Sequence, residues 1–225
     1  MISLSKRLSA IAEMVPHCSI LADVGTDHGY LPVRLLQQGS TERVLASDIH
    51  RGPLQKARET AETYGFSDRM ETFLADGLLF PGAESAEVIT ICGMGGETMI
   101  SILSAAPWTA DGRRLILQPQ SKLAELEAWL QQHRYAIDDA RLCIDADRIY
   151  LIISVTGGIW SISSEEILFR KKDPLFSDYI QKELQKARYA KEGLMRASTD
   201  RAESLRQIEQ RIQALEHYEK EILKW

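Results

Sequence analysis

Two carboxylates, an imidazole and two glycines fall within Ala22-Asp23-Val24-Gly25-Thr26-Asp27-His28-Gly29-Tyr30, where an apolar run gives way to a helical pattern. Gly25 lets the chain turn tightly, and Gly29 lets the backbone come close to a ligand or a packed helix. The spacing is D-x-G-x-x-x-G. It lacks the second glycine of a G-x-G-x-x-G dinucleotide loop and offers no free helix N-terminus to a pyrophosphate.

Three further clusters follow. Asp48 closes Ala46-Ser47-Asp48-Ile49, 19 residues beyond Gly29, where a carboxylate can accept both hydroxyls of a ribose; the other reading is an N-cap for a helix starting near Gly52-Pro53. In Ala75-Asp76-Gly77 a polar side chain and an adjacent N–H can hold the amine and ring nitrogen of an adenine, although Asp-Gly alone is a turn. Gly93-Met94-Gly95-Gly96-Glu97 packs three glycines into four residues, leaving room for something to approach the backbone, with a tight turn as the alternative. Each cluster ends an apolar run, the place where open α/β sheets bind ligands. S-adenosylmethionine carries no phosphate and asks less of the first loop than a dinucleotide does.

The elements that must position these residues are legible as alternating runs. Strands are predicted at Ile20–Val24, Arg43–Ser47, Met70–Ala75, Val88–Cys92, Arg114–Gln118, Tyr135–Cys143 and Arg148–Val155, with helices between the first five and again at Ser121–His133. That rhythm implies βαβ units and a mostly parallel sheet. Only Ile144–Asp147 separates the last two runs, too few residues for a crossover, so they are expected to close the sheet as an antiparallel hairpin. Thirteen of the fourteen glycines and six of the seven prolines lie at or before Gly158. A turn-rich domain, 1–158, is therefore expected to give way to a helical, coiled-coil-like tail, 159–225. In the tail Leu205, Ile208, Ile212, Leu215 and Ile222 follow a 3-4 spacing, as do Ile180, Leu184, Ala187 and Leu194. Ser198-Thr199-Asp200 with Glu203 reads as a capping box between two helices folded back on each other, after a short helix near Ser164–Lys171 and a start at Pro174.

Composition narrows the class. A chain of 225 residues, 44% hydrophobic, fills a real core. It has no apolar run of about 18 residues, and Lys6, Arg7 and Glu13 interrupt the amphipathic Met1–Met14 segment, so no membrane association and a cytoplasmic location are expected. Cys18, Cys92 and Cys143 are odd in number and widely spaced, suggesting neither disulfides nor a metal site. The net charge of −5 is uneven: residues 159–225 hold 13 Lys+Arg against 12 Asp+Glu. Such bases are read either as a solvated helix face or as a contact to a polyanion.

The chain resembles the bacterial tRNA (adenine(22)-N1)-methyltransferase family, known as TrmK. The resemblance rests on Leu4-Ser5-Lys6-Arg7-Leu8, the Leu21–Pro32 stretch around Asp27-His28, Gly52-Pro53, Asp76-Gly77-Leu78, Gly93-Met94-Gly95-Gly96 and Leu117-Gln118-Pro119-Gln120. Order and spacing hold over essentially the whole chain; where many members carry Ala after the His, this one has Gly29. What the resemblance implies is a Rossmann-like class I S-adenosylmethionine-dependent methyltransferase fold and methyl transfer to N1 of a D-arm adenine in tRNA. It would place Asp23, Gly25, Asp27, His28 and Gly29 along the methionine part of the cofactor, Asp48 and Ile49 at the ribose, Asp76 and Gly77 at the adenine, and Arg7 at the cofactor carboxylate, with Gly93 nearby.

Adenine N1 lies on the Watson–Crick edge, so the base must be unpaired or extruded. N1 methylation leaves a cation, which a nearby carboxylate stabilises. Asp27 and Glu97 are the candidates, with His28 third; Asp27 can instead bond backbone amides, and Glu97 can simply open a helix. Met94, Gly95 and Gly96 are expected beside the target base, and Lys171, Lys172, Lys182, Lys186 and Arg188 on the tRNA backbone. Against that gripping arm stands a purely structural or dimer-forming tail; a monomer is expected, with a dimer through the tail left open. Two other readings remain: a methyltransferase acting on another RNA or a small molecule, and a non-catalytic RNA-binding protein on the same fold.

Overall fold

The computed structural model describes residues 1–159, 162–196 and 202–225. The expected capping box at Ser198-Thr199-Asp200 lies outside the described residues. Seven apolar runs form β1 (Cys18–Val24), β2 (Thr41–Asp48), β3 (Met70–Leu74), β4 (Val88–Met94), β5 (Arg114–Pro119), β6 (Tyr135–Asp145) and β7 (Arg148–Gly157). They make one sheet in the order β3-β2-β1-β4-β5-β7-β6. The first five strands pair in parallel, and β7 runs antiparallel to both β5 and β6. Parallel strands are covered on both faces, which is why their sequences are almost continuously apolar. Leu21, Ile89, Ile91, Leu115, Ile116 and Leu117 are fully buried there, each contributing about 1.5–3 kcal/mol of transfer free energy.

The strands are joined and flanked by α1 (Lys6–Met14), α2 (Tyr30–Gln37), α3 (Arg51–Thr63), α4 (Gly96–Ala105) and α5 (Leu123–Gln132). One expected helix does not form. Between β3 and β4 the described chain makes only a short 3-10 turn, Ala83–Ser85, because Pro81-Gly82 breaks the run and Gly82 takes a left-handed φ of 84°. Helix α1 starts at Lys6 rather than Met1, with the Ser5 Oγ accepting from the Leu8 N–H at 3.3 Å.

The chain divides into two compact units, Met1–Ser164 and Glu165–Trp225. The N–H and hydroxyl of Ser164, the last residue of the first unit, both donate to Glu127 of α5. Helix α6 (Ser164–Lys171) starts at that boundary, and the second unit continues with α7 (Phe176–Arg196) and α8 (Ala202–Ile222). Arg188 pairs with Glu216, whereas Lys191, one turn further along α7, pairs with Glu209, earlier in α8, so these two helices run in opposite directions. Arg211 of α8 donates through both terminal nitrogens to the buried Glu165 carboxylate. Phe169, Phe176, Tyr218 and Trp225 form an aromatic cluster beside it. Among the described residues no helix is long and apolar enough to cross a membrane.

Candidate active site

Strand order reverses on either side of β1, where the chain goes to β2 in one direction and β4 in the other. The crevice opened at such a switch point binds ligands in α/β folds. Here it is a cavity of about 360 Å³, within the size range of small-molecule sites. The end of β1 supplies Asp23, the β1–α2 loop Gly25, Thr26, Asp27 and His28, the end of β2 Asp48, the end of β4 Gly93 and Met94, and α1 Arg7.

The floor is set by strand register. Asp23 of β1 stands opposite Thr90 of β4, and the Thr90 hydroxyl donates to Asp23 Oδ1 at 2.5 Å. Asp23 is only 4% exposed. Burial pushes its carboxyl above the usual aspartate range, opposed by the Thr90 bond and assisted by the charge of Asp48. Thr26, buried beside it, also acts through its side chain to lower the Asp23 pKa, although Thr26 Oγ1 makes no hydrogen bond of full geometry and so keeps capacity for a bound polar ligand. Asp48 does not cap α3, which begins later, at Arg51, with His50 before it. Its Oδ1 instead accepts from the His50 N–H at 2.8 Å, holding the carboxylate at the cavity wall where ribose hydroxyls can reach it. These features fit a nucleoside-bearing cofactor.

At the mouth, Asp27 takes a left-handed φ of 50°, uncommon outside glycine. Its carboxylate lies 3.7 Å from His28 Nε2, with side-chain exposures of 73% and 37%. Arg7 comes from the first turn of α1. Its guanidinium donates to Gln118 Oε1 at 2.8 Å and lies over the Tyr150 ring, so the cation is oriented before any ligand arrives.

The glycines differ from expectation in what fills the space they leave. A Cβ on Gly25 would meet Met94 Cε, one on Gly29 the Ala57 backbone, and one on Gly77 the Ile102 side chain. Above Gly93 lies the Arg7 guanidinium, and above Gly95 the Ser121 hydroxyl; a Cβ on Gly96 would stand 2.4 Å from the Lys122 carbonyl oxygen. The room at Gly95 and Gly96 is therefore taken by the β5–α5 loop, whereas Gly93 faces the cavity. Gly96 N–H donates to Ser121 O and Gln120 N–H to Met94 O, joining the two loops main chain to main chain.

Several sequence candidates stand away from the cavity lining. Gly29, Ile49, Asp76, Gly77, Gly95, Gly96 and Glu97 do not line it, although Gly77 is tied to β2 by the Ser47 hydroxyl. Glu97 is in the first turn of α4, 75% exposed and 3.9 Å from Lys122. In the second unit Lys171, Lys172, Lys182, Lys186 and Arg188 are all exposed, and Lys186 and Arg188 pair with Glu183 and Glu216. Sequence reasoning missed the polar, aromatic and thiol lining residues Thr26, Tyr30, His50 and Cys92 and the apolar ones Leu8, Val24, Leu31 and Pro53. Tyr30 and Thr26 lie inside the first motif, and His50 stands two residues past Asp48, so proximity was the available signal. Burial pushes the Cys92 thiol far above its usual range, making it a neutral wall. Among the described residues no three His, Cys, Asp or Glu side chains gather as a metal-ligand set.

Residues 4–153 match the family described as methyltransferase domain. The chain is 33% identical over 158 residues to the tRNA (adenine(22)-N(1))-methyltransferase of Bacillus subtilis (strain 168), a match covering 70% of this chain and 66% of that protein, just under two thirds of its length. Among solved structures, that of Streptococcus pneumoniae Sp1610, a putative tRNA (m1A22) methyltransferase in complex with S-adenosyl-L-methionine, superposes with a TM-score of 0.82 at 32% identity, covering 97% of this chain and all of that one. The B. subtilis M1A22 tRNA methyltransferase TrmK gives 0.82 at 26% identity, over 97% and 100% of the two chains.

Proposed function

The chain belongs to the tRNA (adenine(22)-N1)-methyltransferase family, and on that footing we propose that it transfers a methyl group from S-adenosylmethionine to N1 of a D-arm adenine, position 22, in tRNA. The observation that carries this reading is a cavity in which two recessed carboxylates, Asp23 and Asp48, lie below an exposed carboxylate, Asp27. The inner pair suits a nucleoside-bearing donor, and the outer one a base that gains positive charge.

Bound S-adenosylmethionine supplies an already activated sulfonium methyl. The protein's own residues then have to bind and orient. Asp48 accepts the ribose hydroxyls, Arg7 faces the carboxylate end, and the Asp23–Thr26 stretch lines the methionine part. Asp27 stands where it can stabilise the charge that develops on the adenine ring and accept a proton from the exocyclic amine. Holding N1 in line with the methyl group contributes most, since positioning supplies about 7–11 kcal/mol in favourable cases.

The C-terminal part, expected at 159–225 and described as the helical unit Glu165–Trp225, acts as an arm on the tRNA backbone through Lys171, Lys172, Lys182, Lys186 and Arg188, in a cytoplasmic, monomeric enzyme. The ion pairs of Lys186 and Arg188 are exposed, and such pairs are worth about 0–1 kcal/mol, little enough to be exchanged for phosphate. Neutralising any one phosphate-binding cation should lower the salt slope of tRNA binding by about 1.

The deciding assay is methyl transfer from labelled S-adenosylmethionine to unmodified tRNA, with primer-extension arrest locating the modified base. Arrest at the D-arm adenine, abolished by an adenine-to-guanine change there, is the expected result. Cofactor binding without transfer to tRNA would overturn the substrate assignment.

A further inference from the structure

The cavity has an inner and an outer part. Asp23 and Thr26 are 4% and 5% exposed, whereas Tyr30 is 42% exposed and shares the rim with Asp27 and His28. The His28 and Tyr30 rings stack, with centroids 5.2 Å apart and planes within 20°. An aromatic pair thus lines the mouth instead of filling the core.

The pair is also aimed from below. Tyr30 is the first residue of α2, and Gly29 before it takes a φ of 70°. A Cβ on Gly29 would lie 3.0 Å from Ala57 Cα of α3, so α2 starts pressed against α3 and its first side chain is carried to the rim.

Resting on the adenine-N1 reading above, we infer that Tyr30, backed by His28, is the platform on which the extruded target adenine stacks. A base brought in by RNA enters from the exposed side, past this ring, and leaves its neighbours' π-faces behind; an aromatic side chain replaces them. The chemistry adds a second reason. The N1 lone pair forms the new N–C bond as the sulfonium C–S bond breaks onto sulfur, so the adenine ring becomes cationic while the donor becomes a neutral thioether. The face of a tyrosine attracts a cation, and the same ring therefore favours the charge-bearing adenine over the neutral one. Asp27 on the same rim supplies the matching negative charge.

The test uses the full chain with Tyr30→Leu and Tyr30→Phe, measuring initial rates against unmodified tRNA and S-adenosylmethionine affinity by calorimetry. The Leu variant is expected to lose about ten- to hundredfold in kcat/KM for tRNA while its cofactor Kd stays within about twofold, and the Phe variant to recover most of the rate. A second readout compares wild type with Tyr30→Leu: 2-aminopurine at the target position should be quenched when bound to the wild-type enzyme and brighter when bound to the Leu variant. A Leu variant with undiminished kcat/KM, a cofactor affinity that falls in step with the rate, or 2-aminopurine no dimmer on the wild type than on the Leu variant would each overturn the inference. A wild-type enzyme that fails to methylate tRNA overturns the proposed function and this inference with it; an active wild type indifferent to Tyr30 overturns this inference alone.

Discussion

Met94 Cε fills the space above Gly25, 2.2 Å from where a Cβ on that glycine would stand. The loops after β1 and β4 are thus keyed together by one methyl group at the cavity. Gly25→Ala meets two penalties: a φ of 72°, costing a non-glycine residue about 1–2 kcal/mol, and displacement of Met94. We expect a melting temperature lower by about 2–8 °C and weaker S-adenosylmethionine binding. Adding Met94→Ala should restore the steric part and leave the backbone part, so the two changes will be non-additive in thermal unfolding with and without cofactor.

Asp23 supplies a pH signature. Burial raises its carboxyl in the folded protein, so the native state holds the proton at pH values where the unfolded chain has released it. Stability therefore declines as pH rises from the ordinary aspartate value near 3.8 through the raised folded value. Asp23→Asn keeps an acceptor for Thr90 and removes the titration. Its stability relative to wild type should climb across that window and then level off in urea unfolding; a relative fall would contradict a destabilised buried carboxylate.

Asp27 and Glu97 can be separated kinetically. Asp27 is on the cavity rim, whereas Glu97 points to Lys122 in the first turn of α4. Asp27→Asn should lower kcat by about 10²-fold or more, the usual worth of a positioned acid–base group. Glu97→Gln should stay within about threefold of wild type, as uniform or absent contacts do. Single-turnover rates on tRNA decide between them.

In the second unit, Glu165 is buried and held by both terminal nitrogens of Arg211. Burial tends to lower the arginine pKa, but the Glu165 bonds and charge outweigh it and hold the guanidinium firmly protonated. Arg211→Met leaves the carboxylate unpaired and should destabilise the helical unit by about 3–5 kcal/mol. Faster amide exchange in α7 and α8, with that in β1 and β4 unchanged, would be the reading.

The strands were legible because burial on both faces demands runs such as Val88–Cys92, apolar but for one threonine, and the short Ile144–Asp147 connection left the last two strands no option but a hairpin. The missing β3–β4 helix shows how one Pro81-Gly82 pair overrides an expected alternation. Asp23 and Asp48 stood out because carboxylates ending apolar strands are costly without a use. Thr90 did not, since a mid-strand threonine acquires its role only through the β1–β4 register. Nor could the glycine loops reveal their neighbours: Ser121 and Lys122 lie more than twenty residues beyond Gly96, and no local pattern announces them.

The paired hydrogen bonds between the loops after β4 and β5 run through peptide groups, Gly96 N–H to Ser121 O and Gln120 N–H to Met94 O. These main-chain bonds do not depend on the Gln120 side chain, so that position can drift in sequence while the frame stays in place, whereas Met94 is held by its packing over Gly25. Gly96, with a carbonyl oxygen where its side chain would be, is a position that drift cannot touch.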